Sequence, residues 1–184
     1  MASLGHVAVG VAAARWRASH DGRGSPVRAM LVCSVLALLP DVDVITFRLG
    51  IPYGDPFGHR GMTHSLAFAV GVGLAVAAWL KLRGRPVARD ALLATLVVAS
   101  HGVLDACTTG GKGVEFFWPL DTERYFLPWR FIPVAPIGTR MLSVRGLRVI
   151  LVEAVLFLPA WLYAFWPRHN PPGADPLPPV AGAG

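Results

Sequence analysis

The chain has 184 residues, a length that suits one domain; 54% are hydrophobic, only 15% are charged, and the mean hydropathy is +0.52. An ordinary soluble globular protein is excluded by that balance. The net charge of +6 does not point to nucleic acid, because Lys and Arg gather between apolar blocks, as in loops facing the cytoplasm and anionic lipid.

The blocks predict an all-α fold: a polytopic membrane bundle of about five membrane-embedded helices, since backbone in lipid must satisfy its own hydrogen bonds. The first block, residues 3–14, contains His6 and lacks a basic n-region, so no cleavable signal peptide is expected. The second, residues 26–40, ends on Pro40 and runs straight into Asp41 and Asp43. The third, residues 63–82, is entered through "GHRGMTHS", with His59 in the loop and His64 in the first turn. Gly61 permits a tight entry turn, and Thr63 or Ser65 is the expected cap. The fourth, residues 87–106, closes on "SHGVLDA", where His101 and Asp105 at i, i+4 share one helix face. A stretch rich in Gly, Pro and aromatics, residues 107–146, leads to the fifth block, residues 147–166. Residues 1–168 are read as one membrane-embedded domain and the Pro/Gly-rich residues 169–184 as a disordered tail. No internal repeat is present. Cys33 and Cys107 supply no disulfide framework and no zinc-type Cys pair; they read as small apolar residues.

Basic residues set the expected orientation. Residues 15–28 hold Arg15, Arg17, Arg23 and Arg28, and residues 81–89 hold Lys81, Arg83, Arg85 and Arg89. Residues 48–62 hold only Arg48 and Arg60, offset by Asp55. The first two loops are therefore expected in the cytoplasm and the third outside, with the N-terminus outside and the tail inside. Arg140 and Arg145 fit poorly, since they fall on the outer connection. Trp79, Trp161 and Trp166 read as interface anchors. His20 and His169 fall in cytoplasmic segments and read as solvated.

On that map His6, Asp41, Asp43, His59, His64, His101 and Asp105 all come to the outer side. Each piece has an ordinary reading alone: a turn after proline, a chance pair on a helix, an interfacial histidine. Together they are ionisable groups at one depth in a chain with few charges, and groups at membrane depth need partners. His with Asp is a ligand set for zinc or another first-row divalent ion, manganese included, as one or two ions. The rival is a buried His–Asp hydrogen-bond network without metal.

The early His, "LLPDVD", "HRGMTHS", "SHGVLDACTTGG" and "FFWPLDTERY" together resemble the YdjM-like family of inner-membrane-associated metal-dependent hydrolases. The resemblance covers residues 1–129 in motifs and the last helix by position. It implies a metal site at His6, Asp41, Asp43, His59, His64, His101 and Asp105 in the inner membrane. The ligand order also looks like that of bacterial zinc phospholipases C, although their full ligand set is absent.

About 15 residues precede Asp41 in the second block, ~22 Å of helix against a hydrocarbon core of ~30 Å. The site is thus expected at or below the outer headgroups, with membrane lipid as environment and substrate. The expected reaction is metal-assisted hydrolysis of a phosphoester in a lipid. Asp41 or Asp43 would serve as general base, and Arg60 would hold the phosphate unless it is a plain outer-loop charge. Residues 116–130 would cover the site, or else form an interfacial loop anchored by Trp118 and Trp129. Two other classes compete: a metal transporter or sensor, against which no polar path runs down the helices, and a non-catalytic membrane protein with a structural metal.

Overall fold

A computed structural model describes residues 3–21 and 25–167. The described chain is all-helical, with two isolated bridges, Thr108 to Ile132 and Val114 to Tyr125, in place of any sheet. Six α-helices are present: α1 (Ser3–Asp21), α2 (Pro26–Leu38), α3 (Leu66–Leu82), α4 (Ala88–Ala106), α5 (Val144–Leu156) and α6 (Leu158–Phe165). Short 3-10 segments cover Leu39–Leu49, Met62–His64 and Gly138–Leu142.

Several boundaries differ from the sequence reading, each for a local reason. The first helix does not stop at residue 14 but runs to Asp21. Arg17 is thereby drawn out of its expected loop and into a two-pronged pair with Asp90, at 2.8 Å for each prong. The second helix does not end at Pro40. It tightens into the 3-10 run Leu39–Leu49, so Asp41 and Asp43 lie inside a continuous element of 24 residues. At 1.5 and 2.0 Å rise per residue that element is roughly 40 Å long. Ser65 caps α3, its Oγ accepting from Phe68 N at 3.1 Å, while Thr63 turns inward. The fifth block is two helices, α5 and α6, bent by 58°. Pro159 explains the break: it lacks an N–H and its ring opposes the carbonyl one turn back.

By length and hydropathy one element, Pro26–Leu49, can cross a membrane, and a second can if α5 and α6 count as one bent span; α3 is apolar but shorter. Large apolar side chains face outward along several helices: Leu31 and Val35 on α2, Val70 and Leu74 on α3, Leu92 and Leu96 on α4, Leu151 and Val155 on α5. So extensive an apolar exterior marks a membrane or protein contact surface.

Helix α1 is the hub, packing on α2, α4, α5 and α6, while α3 packs on α4. Small residues allow the close approaches. A methyl at Gly10 would lie 2.8 Å from the Cys33 carbonyl oxygen, and one at Gly73 would collide with the Thr95 hydroxyl. Interfaces of small residues are the usual solution where lipid removes any hydrophobic drive between helices. Cys33 and Cys107 are buried free thiols. His20 is exposed at the end of α1 and bonds the Trp16 carbonyl oxygen. His169 and the tail, residues 169–184, lie outside the described residues.

Candidate metal centre

Four elements bring the seven site residues together. His6 comes from the first turns of α1, Asp41 and Asp43 from the 3-10 run, His59 and His64 from the loop and turn before α3, and His101 and Asp105 from the last turns of α4. All but Asp41 are buried, and the Asp41 side chain is 26% exposed. The i, i+4 spacing of His101 and Asp105 places both on one face of α4, 3.8 Å apart between Nε2 and Oδ2.

The residues fall into two sets that differ in chemistry. In the first, histidine nitrogens and carboxylate oxygens face each other without making hydrogen bonds of acceptable geometry. His101 Nε2 is 3.3 Å from Asp41 Oδ1 and His64 Nε2 is 3.7 Å from it. His64 Nε2 is 3.4 Å from Asp105 Oδ2. Both Nε2 atoms are buried without a hydrogen-bond partner. Metal–ligand bonds of ~2.1 Å give tetrahedral edges of roughly 3.4 Å between donors, and the observed separations bracket that length. Asp41, His64, His101 and Asp105 could therefore hold a metal ion. The ring tautomer supports it: His101 Nδ1 lies 2.7 Å from the Ala37 carbonyl oxygen and must donate to it, which leaves a bare lone pair on Nε2.

The second set is hydrogen-bonded. Asp43 Oδ1 is 2.7 Å from His59 Nδ1. Asp43 Oδ2 accepts from the Thr63 hydroxyl at 2.7 Å and the Arg60 N–H at 3.1 Å, and lies 3.1 Å from His64 Nδ1. Asp43, His59 and His64 also fall within metal-binding reach of one another. The Asp43 oxygens are already well supplied with donors, and the contact with His64 Nδ1 turns that ring so that Nε2 faces the first set. His6 joins the two carboxylate-bearing helices differently. Its ring stacks on His101 with centroids 3.5 Å apart, its Nε2 is 3.9 Å from Asp105 Oδ1, and neither ring nitrogen has a hydrogen-bond partner. It is a further bare donor beside the first set.

Arg60 is not an outer-loop charge; it is 2% exposed. Its Nε lies 3.0 Å from Asp105 Oδ2, and its terminal nitrogens donate to Asp105 Oδ1 at 3.1 Å, Thr108 Oγ1 at 3.0 Å and the Gly110 carbonyl oxygen at 3.2 Å. Those donors are committed to α4 and the loop after it. The backbone of Arg60 is left-handed at φ 66°, and the next residue must be glycine, because a methyl at Gly61 would collide with the Pro56 carbonyl. This strained turn carries His59 and His64 to the same carboxylate.

Residues 116–130 brace that turn rather than hang free at an interface. Glu115 N donates to the Arg60 carbonyl oxygen and Leu66 N to the Phe116 carbonyl oxygen. Arg124 donates to the carbonyl oxygens of His59 and Asp55 and pairs with the buried Glu115 at 2.8 Å. Burial pushes the Glu115 carboxyl up, and the Arg124 guanidinium opposes it. Trp129 remains exposed, and Trp118 packs edge-on to Phe57.

Sequence reasoning overlooked Glu153, fully buried on α5, whose Oε2 accepts from Gly5 N at 3.2 Å at the start of α1. The signal was present: a lone carboxylate in the apolar run "ILVEAVLF" needs a partner. Here it is the positive end of the helix that carries His6. Thr63, Thr108 and Arg124 carried no comparable signal.

The site opens on a cleft of about 860 Å³ whose lining includes Asp41, Tyr53, His59 and Arg60 together with Ile137, Arg140, Met141 and Arg145. A buried His/Asp centre in an apolar helical bundle defines a membrane protein with a candidate metal site. Residues 1–170 match the family described as YdjM inner membrane protein, and the chain belongs to that family. Inner membrane protein YbcI of Escherichia coli (strain K12) is 42% identical over 143 residues, which covers 74% of this chain and 81% of YbcI. No solved structure matches the chain.

Proposed function

We propose that this chain is a multi-pass inner-membrane hydrolase that uses zinc or manganese to cleave a phosphoester in a lipid or lipid-like substrate at the outer leaflet. The observation that carries the reading is the pair of bare Nε2 atoms, on His64 and His101, facing two carboxylates at ligand spacing with nothing else to satisfy them. A hydrogen-bond network alone would leave those nitrogens at a cost of about 1–3 kcal/mol each. The inner-membrane family and the outward apolar surface support the location. The outer placement rests on the basic loops and the positive-inside rule.

A bound divalent ion supplies a water of near-neutral pKa and polarises a phosphoryl oxygen. Asp41, Asp105, His64 and His101 would hold it, and Asp41, alone of the four partly exposed, lines the cleft. Asp43 acts through His59. It fixes the His59 Nδ1 proton, which leaves Nε2 of a ring at the cleft edge to take or return a proton. In this reading His59 takes the base role that the sequence offered to Asp41 or Asp43. Burial of the rest excludes water from all but one side.

Purified protein with zinc or manganese should turn over a phospholipid or isoprenoid phosphate, and a chelator should stop it. Turnover of a soluble phosphoester alone would remove the lipid from the proposal. A second reading, a structural metal in a non-catalytic membrane protein, is favoured by Arg60, which already neutralises Asp105. Stoichiometric metal with no turnover of any substrate would select it.

A further inference from the structure

The 3-10 segment Gly138–Leu142 and the start of α5 place Arg140 and Arg145 on the same cavity as Asp41 and His59. Among the described residues neither guanidinium has an ion-pair or hydrogen-bond partner, and both are exposed. Ile137 and Met141 line the same cavity, so this part of its lining is both cationic and apolar. These are the arginines that fit poorly with an outer connection by charge alone. Arg60, the cation expected to receive a phosphate, is committed to Asp105.

We propose that Arg140 and Arg145 form an anion subsite that holds the phosphate of a phosphate-bearing ligand in this cleft. An arginine presents a planar fork of donors suited to phosphate oxygens. Two of them, lining the cavity that Asp41 and His59 also line, would seat the anion in the cleft that borders the candidate centre. The apolar part of the wall suits the glycerol and acyl portion of an amphiphile. The inference deepens the hydrolase reading and rests on it for the cleft being the substrate side, but binding itself needs no turnover.

The test is therefore done without metal. Chelator-treated protein in neutral detergent is titrated with dioleoylphosphatidylglycerol and followed by native mass spectrometry, with dioleoylglycerol as the phosphate-free comparison. Wild type should bind the phospholipid and not the diglyceride. Arg140→Gln/Arg145→Gln should bind it about tenfold more weakly, while Arg28→Gln/Arg48→Gln, with the same loss of charge away from the cleft, should match wild type. Equal binding by the Arg140→Gln/Arg145→Gln protein and wild type overturns the subsite. Because both arginines are exposed, the double variant should keep wild-type monodispersity and zinc content, which separates lost binding from misfolding. Glycerol 1-phosphate is then added as competitor: arginine-dependent competition supports a subsite satisfied by free phosphate, and its absence beside arginine-dependent lipid binding supports one that needs the lipid. Arginine-dependent binding with no turnover on added zinc would unseat the hydrolase reading and leave the subsite standing.

Discussion

Asp43→Asn tests the division of the site into a ligand set and an orienting set. The substitution keeps the size of the side chain and removes its charge and one acceptor oxygen. Four donors converge on the native carboxylate: His59 Nδ1 and the Thr63 hydroxyl at 2.7 Å, the Arg60 N–H and His64 Nδ1 at 3.1 Å. An amide can accept on one atom only, so at least one of these donors meets an NH2 group. If Asp43 acts by aiming His64, zinc affinity should fall 10–100-fold, the usual effect of losing a ligand's orienting partner, or about 1.4–2.8 kcal/mol. Asp41→Asn removes a charge that faces His64 and His101 directly. Breaking a buried charged set by removing one partner costs about 3–5 kcal/mol, so affinity there should fall on the order of 10²–10⁴-fold. Competition against a chromophoric zinc chelator, at equal monodispersity in detergent, measures both. Equal losses in the two variants would refute the division, and so would an Asp41→Asn protein that binds zinc as wild type does.

Other expectations follow from the same geometry. His64→Ala and Asp105→Ala should each lower metal content by elemental analysis at equal membrane insertion, whereas His20→Ala, exposed on the opposite end of α1, should not. Arg60→Lys should destabilise by about 1–3 kcal/mol despite keeping the charge, because an ammonium cannot span Asp105, Thr108 and Gly110 together; a wild-type melting temperature would show that the fork is dispensable. Gly10→Val forces a side chain against the Cys33 carbonyl and should cost at least about 1–3 kcal/mol, read as a lower melting temperature with metal stoichiometry retained in the folded fraction. A cysteine at Asp55 should react with an impermeant thiol reagent in intact cells and one at Arg85 should not; the reverse pattern would move the site to the cytoplasmic side.

Composition and order determined a good deal of this protein by themselves. Apolar blocks with no strand-like alternation specify helices because the period of burial and the demand for internal hydrogen bonds are local properties. The i, i+4 pair His101 and Asp105 was legible for the same reason: helical spacing alone puts the two on one face. The rarity of charge made every His and Asp in an apolar setting conspicuous. Local order could not say where the second helix would stop, because the tightening into Leu39–Leu49 that carries Asp41 and Asp43 inward depends on packing against α4 and the Met62–His64 turn. Nor could it separate ligand from orienter. Asp41 and Asp43 are two residues apart and chemically identical, and only the positions of His59, Thr63 and His64 around one of them make it an acceptor of hydrogen bonds while the other faces bare nitrogens. The burial of Arg60 was not legible for a related reason: a loop arginine is exposed by default, and its contact with Asp105, 45 residues on, joins distant segments that no periodicity encodes. Glu153 and Gly5 lie 148 residues apart, and Arg140 and Arg145 come to line the same cleft as Asp41. Pairings at such separations exist because helices fold back on one another, and tertiary packing alone decided them.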